Sequence, residues 1–259
     1  MDFAALVTAA LAVAQSEGNA PLNVNQAAAW EWRCRHDFEL EARARFSRLA
    51  ESFNVHHAPP NLIQLAKQAA VDEHRHAGVC RDLIAYLGGE VPQDRPVKAG
   101  EVAPASMGEK SRLLYEVVAM SCVTETLSCT LLGVLVERTE DVHLKKAMQS
   151  ILSDEVRHSR LGWGYLADQS AKGPQDFIAD YLPHMLAGTV HEEIFNEALV
   201  SPFDDRLSAH GVLSRAERLD IFQSTMTDVV FPGLERFGVD TGAGQKWLSA
   251  QINGSAQPS

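Results

Sequence analysis

The sequence predicts an all-helical fold whose core is a four-helix bundle with one long crossover connection. Four long segments carry apolar side chains at intervals of three and four residues, and no segment alternates strictly as a half-buried strand would. Hydrophobic residues make up 46% of the 259 residues and charged residues 22%, so the chain has enough apolar material for a sizeable core. At about 1.5 Å per residue, each segment spans about 40 Å, which leaves room for a site at mid-height.

The first two helices are predicted to form an antiparallel hairpin. The first runs from about Asn25, whose side chain suits a helix cap, to Phe53. The second starts after Pro59-Pro60 and ends at Gly88-Gly89, the usual placement of proline at the start and glycine at the end of a helix. The short linker between them favours an antiparallel pair. One stripe of the first helix is predicted to face the core: Ala28, Trp32, Ala42, Phe46, Leu49 and Phe53.

The third and fourth helices are predicted to form a second hairpin. The third begins at the capping box Ser106-x-x-Glu109 and runs to about Glu137, and the fourth covers about Asp141 to Ala167. The Gly/Pro-rich stretch 88–105 between the two hairpins is long enough to run the length of a bundle. This single long crossover distinguishes the predicted fold from a simple up-and-down bundle.

The chain is predicted to form one domain over residues 1–240, with the core bundle at 25–167 and additional C-terminal helices at 174–238 on its outside. These later helices are expected to shape substrate access. The polar, glycine-rich residues 241–259 are predicted to form a flexible tail. Four features mark the starts of the later helices: Pro174, Thr189-x-x-Glu192, Ser201-Pro202 and Ser214-x-x-Glu217.

Composition and charge exclude several classes of partner. The net charge of −11, with few and scattered Lys and Arg, argues against nucleic acid. The apolar stretch 3–14 lacks the basic start of a secretory signal, and no apolar run approaches the roughly 18 residues of a membrane span. The cysteines form no C-x-x-C pair, which favours free buried thiols in a reducing compartment: Cys34, Cys80, Cys122 and Cys129. We therefore expect a cytoplasmic protein.

Glu-x-x-His pairs are the most informative motif, because they place a carboxylate and an imidazole one turn apart on the same helix face. The sequence has three, at 73–76, 140–143 and 155–158, where chance predicts fewer than one. The pair Glu140/His143 lies in a charged run at a helix start, which favours solvent exposure. The other two pairs lie mid-helix within a repeated motif, Asp-Glu-x-Arg-His, at 72–76 and 154–158.

A dinuclear metal site in a bundle also needs one carboxylate from each of the other two helices. Helix three offers Glu125, a lone acid in the otherwise uncharged stretch 117–133. Helix one offers Glu39 and Glu41, and only Glu39 lies on the apolar stripe. We predict Glu39, with Glu41 as the alternative.

The pattern Glu, Glu-x-x-His, Glu, Glu-x-x-His over about residues 25–167 resembles the ferritin-like diiron carboxylate superfamily. The repeated motif is most similar to that of bacterial multicomponent monooxygenases, with ribonucleotide reductase small subunits and other diiron oxygenases as relatives. The resemblance implies that Glu39 and His76 bind one iron, that Glu125 and His158 bind the other, and that Glu73 and Glu155 bridge them. It also implies that Asp72 and Asp154 accept hydrogen bonds from the outer imidazole nitrogens, each from the histidine of the opposite hairpin.

Two departures narrow this resemblance. Ribonucleotide reductases that store a tyrosyl radical have a tyrosine four residues after the first ligand histidine, where this chain has Cys80. The fourth helix also lacks the extra histidine of the arylamine N-oxygenases, because Ile151 stands at that position. A radical-storing role is therefore disfavoured.

The resemblance implies a nonhaem diiron oxidoreductase that activates O2 to hydroxylate, desaturate or N-oxygenate a small or medium organic substrate. Iron is the expected metal and manganese an alternative, with no catalytic residue beyond the ligands. The chain has no G-x-G-x-x-G fingerprint and no rubredoxin-like cysteine set, so a separate reductase or ferredoxin is expected to donate electrons to a homodimer. A ferroxidase or iron-storage protein is the main alternative, and a metal-free interaction subunit is a third.

Overall fold

The structure is a computed structural model that describes residues 23–195 and 204–255. Most of these residues are helical and none of them forms a strand, so the predicted all-helical bundle with additional C-terminal helices is confirmed. Four helical segments form the bundle: α1 (Val24–Val55), α2 (Pro60–Tyr86), α3 (Glu109–Val117) continuing into α4 (Glu125–Arg138), and α5 (Val142–Ser170). The extended crossover 87–108 joins the two hairpins.

The first hairpin follows the prediction except at its start. Helix α1 is capped by Asn23 and not by the predicted Asn25, because the Asn23 side chain accepts from the Gln26 N–H (3.0 Å) and the Gln26 side chain accepts from the Asn23 N–H (3.2 Å). Helix α2 ends before Gly88, whose positive φ of 75° suits glycine. The predicted stripe faces the core, with Ala42 half-buried and the other five members buried.

The third bundle segment is less regular than predicted. A turn in which the Met107 N–H donates to the Pro104 carbonyl lies before the helix, so the Ser106-x-x-Glu109 capping box does not form and Gly108 occupies the cap position. The π-helical stretch Val118–Thr124 separates α3 from α4 and ends directly before Glu125. Such stretches are often found at functional sites.

The bundle is held together by three close helix pairs. Helix α1 lies against α2, α4 lies against α5, and α2 lies against α5. The helical run Glu109–Arg138 is long and apolar enough to cross a membrane by length and composition, which the sequence analysis did not anticipate. Within the bundle 61% of its most apolar window is buried, so its apolar residues contribute to the core.

The C-terminal helices contribute to the core rather than only covering it. Helix α6 (Phe177–Phe195) runs unbroken through Thr189, so the predicted cap there is wrong. Its side chains Ile178, Leu182 and Leu186 are completely buried. Helix α7 (Arg215–Thr225) begins with the predicted capping box of Ser214 and Glu217, and the predicted start at Ser201-Pro202 lies outside the described residues. A π-helical stretch (Met226–Val230) leads into α8 (Phe231–Arg236).

The predicted flexible tail is wrong over most of its length, because Gly242–Ser255 form helix α9, which lies against α6. A Cβ atom at Gly244 would lie only 2.7 Å from Leu182 Cδ2, so this glycine permits close helix packing. Leu248 of α9 is buried, as is Thr241 just before it. The glycine-rich segment that was predicted to be mobile therefore forms part of the packed interface between α9 and α6.

Candidate metal centre

The four bundle segments bring all six predicted ligands to one place. Every one of the six side chains is buried, with at most 7% of its surface exposed. Their donor atoms fall into two groups, within each of which all the atoms lie within 4.8 Å of one another. The first group is Glu39, Glu73, His76 and Glu155, and the second is Glu73, Glu125, Glu155 and His158. Glu73 and Glu155 belong to both groups, as expected of bridging carboxylates.

The two Glu-x-x-His pairs present the same ring atom to the carboxylates. His76 Nδ1 lies 3.2 Å from Glu73 Oε2 and 3.6 Å from Glu39 Oε2. His158 Nδ1 lies 3.0 Å from Glu155 Oε2 and 2.9 Å from Glu73 Oε1. Because Nδ1 of each ring faces the cluster and Nε2 faces away, each imidazole can offer Nδ1 to an ion.

The structure distinguishes the two candidate carboxylates of helix α1. Glu39 is buried in the cluster, whereas Glu41 pairs with Arg45 on the same helix and keeps 35% of its side chain exposed. The pair Glu140/His143 lies away from the cluster, at the start of α5, where the His143 ring packs against Tyr86 in a tilted arrangement with a centroid separation of 4.5 Å. The geometry therefore favours Glu39 over Glu41 as the carboxylate that helix α1 contributes.

Asp72 and Asp154 contact the outer nitrogens of the two imidazoles, each across the hairpins. His76 Nε2 lies 3.2 Å from Asp154 Oδ2, and His158 Nε2 lies 3.4 Å from Asp72 Oδ2. Arg75 pairs with Asp154, and Arg157 pairs with both aspartates. The repeated Asp-Glu-x-Arg-His motif thus forms a reciprocal network, in which each aspartate fixes the ring whose Nδ1 faces the cluster.

We expect Asp72→Ala and Asp154→Ala each to weaken metal binding about 10- to 100-fold without unfolding the bundle, because the affected imidazole loses the acceptor that orients it. Equilibrium titration with Fe(II) under anaerobic conditions measures this change, and Gln149→Ala on the exposed side of α5 is a suitable control. Wild-type iron affinity in both aspartate variants would contradict the assignment.

Burial and mutual repulsion set the protonation of the carboxylate cluster. Burial raises the pKa of Glu73 well above its usual range, and the neighbouring charges of Glu155 and Glu39 raise it further. Burial raises the pKa of Glu125 in the same way, with Glu155 and Glu73 adding to the effect. Burial also disfavours the charge on Glu39, but the Arg35 guanidinium outweighs it and lowers the pKa of Glu39. The cluster therefore holds protons that divalent cations would displace.

The donor set fits two divalent ions. Glu73 Oε1 is buried and has no hydrogen-bond partner in the described part of the chain, although His158 Nδ1 lies 2.9 Å away. A buried carboxylate oxygen without a hydrogen bond is costly unless it binds a cation. Four carboxylates and two imidazoles form a mixed oxygen and nitrogen site that suits iron or manganese.

We expect metal binding to release protons, since Glu73 and Glu125 must lose them before they bind a cation. Because the pKa values of Glu73 and Glu125 are raised, protons still compete with metal at pH values where an ordinary carboxyl group is already ionised. The apparent metal affinity should therefore rise with pH. Calorimetric titration of Co(II) in two buffers of different ionisation heat measures the release. Equal heats in both buffers would contradict this expectation, and Glu125→Gln should reduce the number of protons released.

Arg35 is a member of the site that the sequence analysis missed. Its Nε donates to Glu39 Oε1 (2.8 Å), and its Nη2 donates to Ser128 Oγ (3.2 Å) and Glu155 Oε1 (3.3 Å). Its spacing of four residues before Glu39 was the available signal, because residues four apart share a helix face. Cys80, buried near the same carboxylates, has a pKa raised well above its usual range by burial and the Glu39 charge, so its thiol is neutral.

The cysteines are all free thiols, as the sequence predicts. Cys80 and Cys122 are buried, whereas Cys34 and Cys129 are only partly so.

Residues 37–161 match the Rubrerythrin family model, and no curated protein matches the chain. The matched residues begin just before Glu39 and end just after His158, so they contain the complete ligand set. The match confirms the superfamily predicted from the motifs, and it names the Rubrerythrin family rather than the monooxygenases. Residues 37–161 therefore match a Rubrerythrin-family domain, which belongs to the ferritin-like diiron carboxylate superfamily.

Proposed function

We propose that this protein is a nonhaem diiron oxidoreductase that activates O2 to oxidise a small or medium organic substrate. The observation that carries the proposal is the pair of ligand groups that share Glu73 and Glu155. A shared pair of carboxylates holds two ions close to each other, which a set of independent mononuclear sites would not do. The Rubrerythrin-family domain supports a diiron protein of this superfamily.

The proposed assignment gives each ion one terminal carboxylate and one imidazole, with Glu39 and His76 on one side and Glu125 and His158 on the other. Two bound iron ions would supply the redox chemistry with O2 and leave coordination positions for it. The chain's own residues hold the ligands in place, through Asp154 and Asp72 on the two rings. Burial of the cluster also limits access of water.

The proposed electron donor follows from two sequence motifs that the chain does not contain. It has no nicotinamide fingerprint and no rubredoxin-like cysteine set, so we propose a separate reductase or ferredoxin as electron donor. The net charge of −11 suits docking against a basic face of that donor. A cytoplasmic homodimer remains our proposal for location and assembly.

Anaerobic loading with Fe(II), followed by removal of unbound iron and elemental analysis, tests the proposal. We expect about two irons per chain, and chemical reduction followed by O2 should give O2 consumption that is coupled to oxidation of an added organic compound. Size-exclusion chromatography of the same sample distinguishes the alternative, because a storage ferritin would form a large cage. Fewer than one iron per chain would contradict the proposal, and a cage with uncoupled iron oxidation would favour the ferroxidase.

A further inference from the structure

Arg35 is a positively charged residue in a site whose carboxylate charges two bound metal ions would already neutralise. Its guanidinium is held by two of the proposed ligands, Glu39 and Glu155, and by Ser128. About a quarter of its side chain is exposed, which sets it apart from the six buried ligands. Nη1 makes no hydrogen bond to any of the residues that the structure describes.

Once two metal ions are bound, the positive charge of Arg35 exceeds the negative charge available around the centre. Two divalent ions carry four positive charges, which equal the charges of the four ligand carboxylates. The negative charges of the two aspartates are balanced separately by Arg75 and Arg157. The two imidazoles are neutral when each gives Nδ1 to a metal and keeps its proton on Nε2 for an aspartate. One positive charge, that of Arg35, then lacks a counterion in a largely buried site.

Arg35 also connects two helices of the bundle. It reaches from α1 to Ser128 on α4. One turn further along each helix, Phe38 and Leu131 are partly buried apolar residues on the same faces. A partly exposed guanidinium on helix faces that also carry apolar residues can receive an anionic group attached to an organic body.

We propose that the metal-loaded centre binds an organic monocarboxylate, with Arg35 as the anchor of its carboxylate group. This inference rests on the proposed diiron function and names the substrate class for that site. With Nε and Nη2 held by Glu39, Ser128 and Glu155, Nη1 keeps N–H groups that can donate charge-assisted hydrogen bonds to a carboxylate. A single surplus positive charge selects a monoanion over a phosphate monoester, which carries close to two negative charges at neutral pH.

Calorimetric titration of benzoate into the anaerobic Fe(II)-loaded protein tests the inference by binding rather than by activity. We expect the loaded wild-type protein to bind benzoate more tightly than phenyl phosphate and not to bind benzamide, which has the same shape without the charge. The protein without added metal should not bind benzoate, because its carboxylates already outnumber Arg35. Iron content is measured on every sample.

Arg35→Met should weaken benzoate binding about 10- to 100-fold, the range expected for losing a charged hydrogen bond. The matched control is Arg45→Met, which removes an arginine from the same helix that pairs with a glutamate four residues away, outside the site. This control should bind benzoate as the wild type does. If Arg35→Met also loses iron, Arg35→Lys serves instead, and it should keep two irons while binding benzoate more weakly because it lacks the planar fork.

Three results would overturn the inference. Unchanged benzoate affinity in the arginine variant that retains two irons would show that the metals alone hold the carboxylate. Absence of benzoate binding to a wild-type protein with two irons would show that another anion, such as hydroxide, balances the charge, and the proposed diiron function would stand. A wild-type protein that binds no iron would overturn both the inference and the proposed function.

Discussion

Glu73→Ala and Glu155→Ala are each expected to abolish binding of both metal ions, whereas Glu39→Ala and Glu125→Ala should each remove only one. The reason is the geometry of the cluster, in which Glu73 and Glu155 belong to both ligand groups and each of the other two carboxylates belongs to one. Loss of a shared carboxylate removes a donor from both ions at once. Elemental analysis after anaerobic Fe(II) loading and gel filtration measures the number of ions retained.

The matched control for these variants is Glu41→Ala, because Glu41 lies two residues from Glu39 but pairs with Arg45 outside the cluster. It should retain two ions. The metal-free variants should remain folded, since removing one of several mutually repelling carboxylates does not expose the core. Two ions retained by a folded Glu155→Ala protein would show that Glu155 does not bridge.

Gly162→Ala is expected to give the largest loss of stability from a single added methyl group. A Cβ atom at this position in α5 would lie 2.5 Å from Ser121 Cβ, 2.8 Å from the Ser121 carbonyl carbon and 2.9 Å from the Cys122 nitrogen. Two of these atoms belong to the backbone of the π-helical stretch, so they cannot yield by a simple change of side-chain rotamer. We expect a loss of about 1–3 kcal/mol in the free energy of unfolding, the usual cost of overpacking a core.

The same substitution should also weaken metal binding, because the displaced stretch ends directly before Glu125. Gly133→Ala is the matched control in the neighbouring helix α4, since a Cβ atom there would meet nothing within 4 Å. Alanine at that position should be neutral or stabilising by up to about 1 kcal/mol through helix propensity. Urea denaturation of both metal-free variants measures the difference, and equal transition midpoints would show that the close approach of α5 is not rigid.

The π-helical stretch explains why the third bundle segment was only partly predictable. The apolar pattern of residues 118–123 is compatible with an ordinary α-helix, and all six residues are buried. Whether one turn widens depends on what lies against it, and Gly162 is distant in sequence. The sequence thus predicts Glu125 as a buried acid but not the backbone form that precedes it.

The polar, glycine-rich C-terminal stretch was also predicted incorrectly from its sequence. Few large apolar residues mark helix α9, and its glycines suggested mobility. In the structure Gly244 packs closely against Leu182 of α6. Because glycine has no side chain, the two helices can approach each other here, and the residue does not make the segment flexible. Composition alone cannot distinguish these two uses of glycine, because the difference lies in the partner surface.

The sequence by itself determined the features that depend on spacing within one helix. The i, i+3 spacing of the two Glu-x-x-His pairs places each carboxylate and imidazole on one face, and the repeated motif identifies the two helices that carry them. Only the tertiary structure brought Arg35 into the cluster. It also buried Glu39 while leaving Glu41 partly exposed, and it supplied the contacts between each histidine and the aspartate of the other hairpin, which the sequence implied only through the resemblance. These features depend on which faces of separate helices meet, and that is set by packing between segments far apart in the chain.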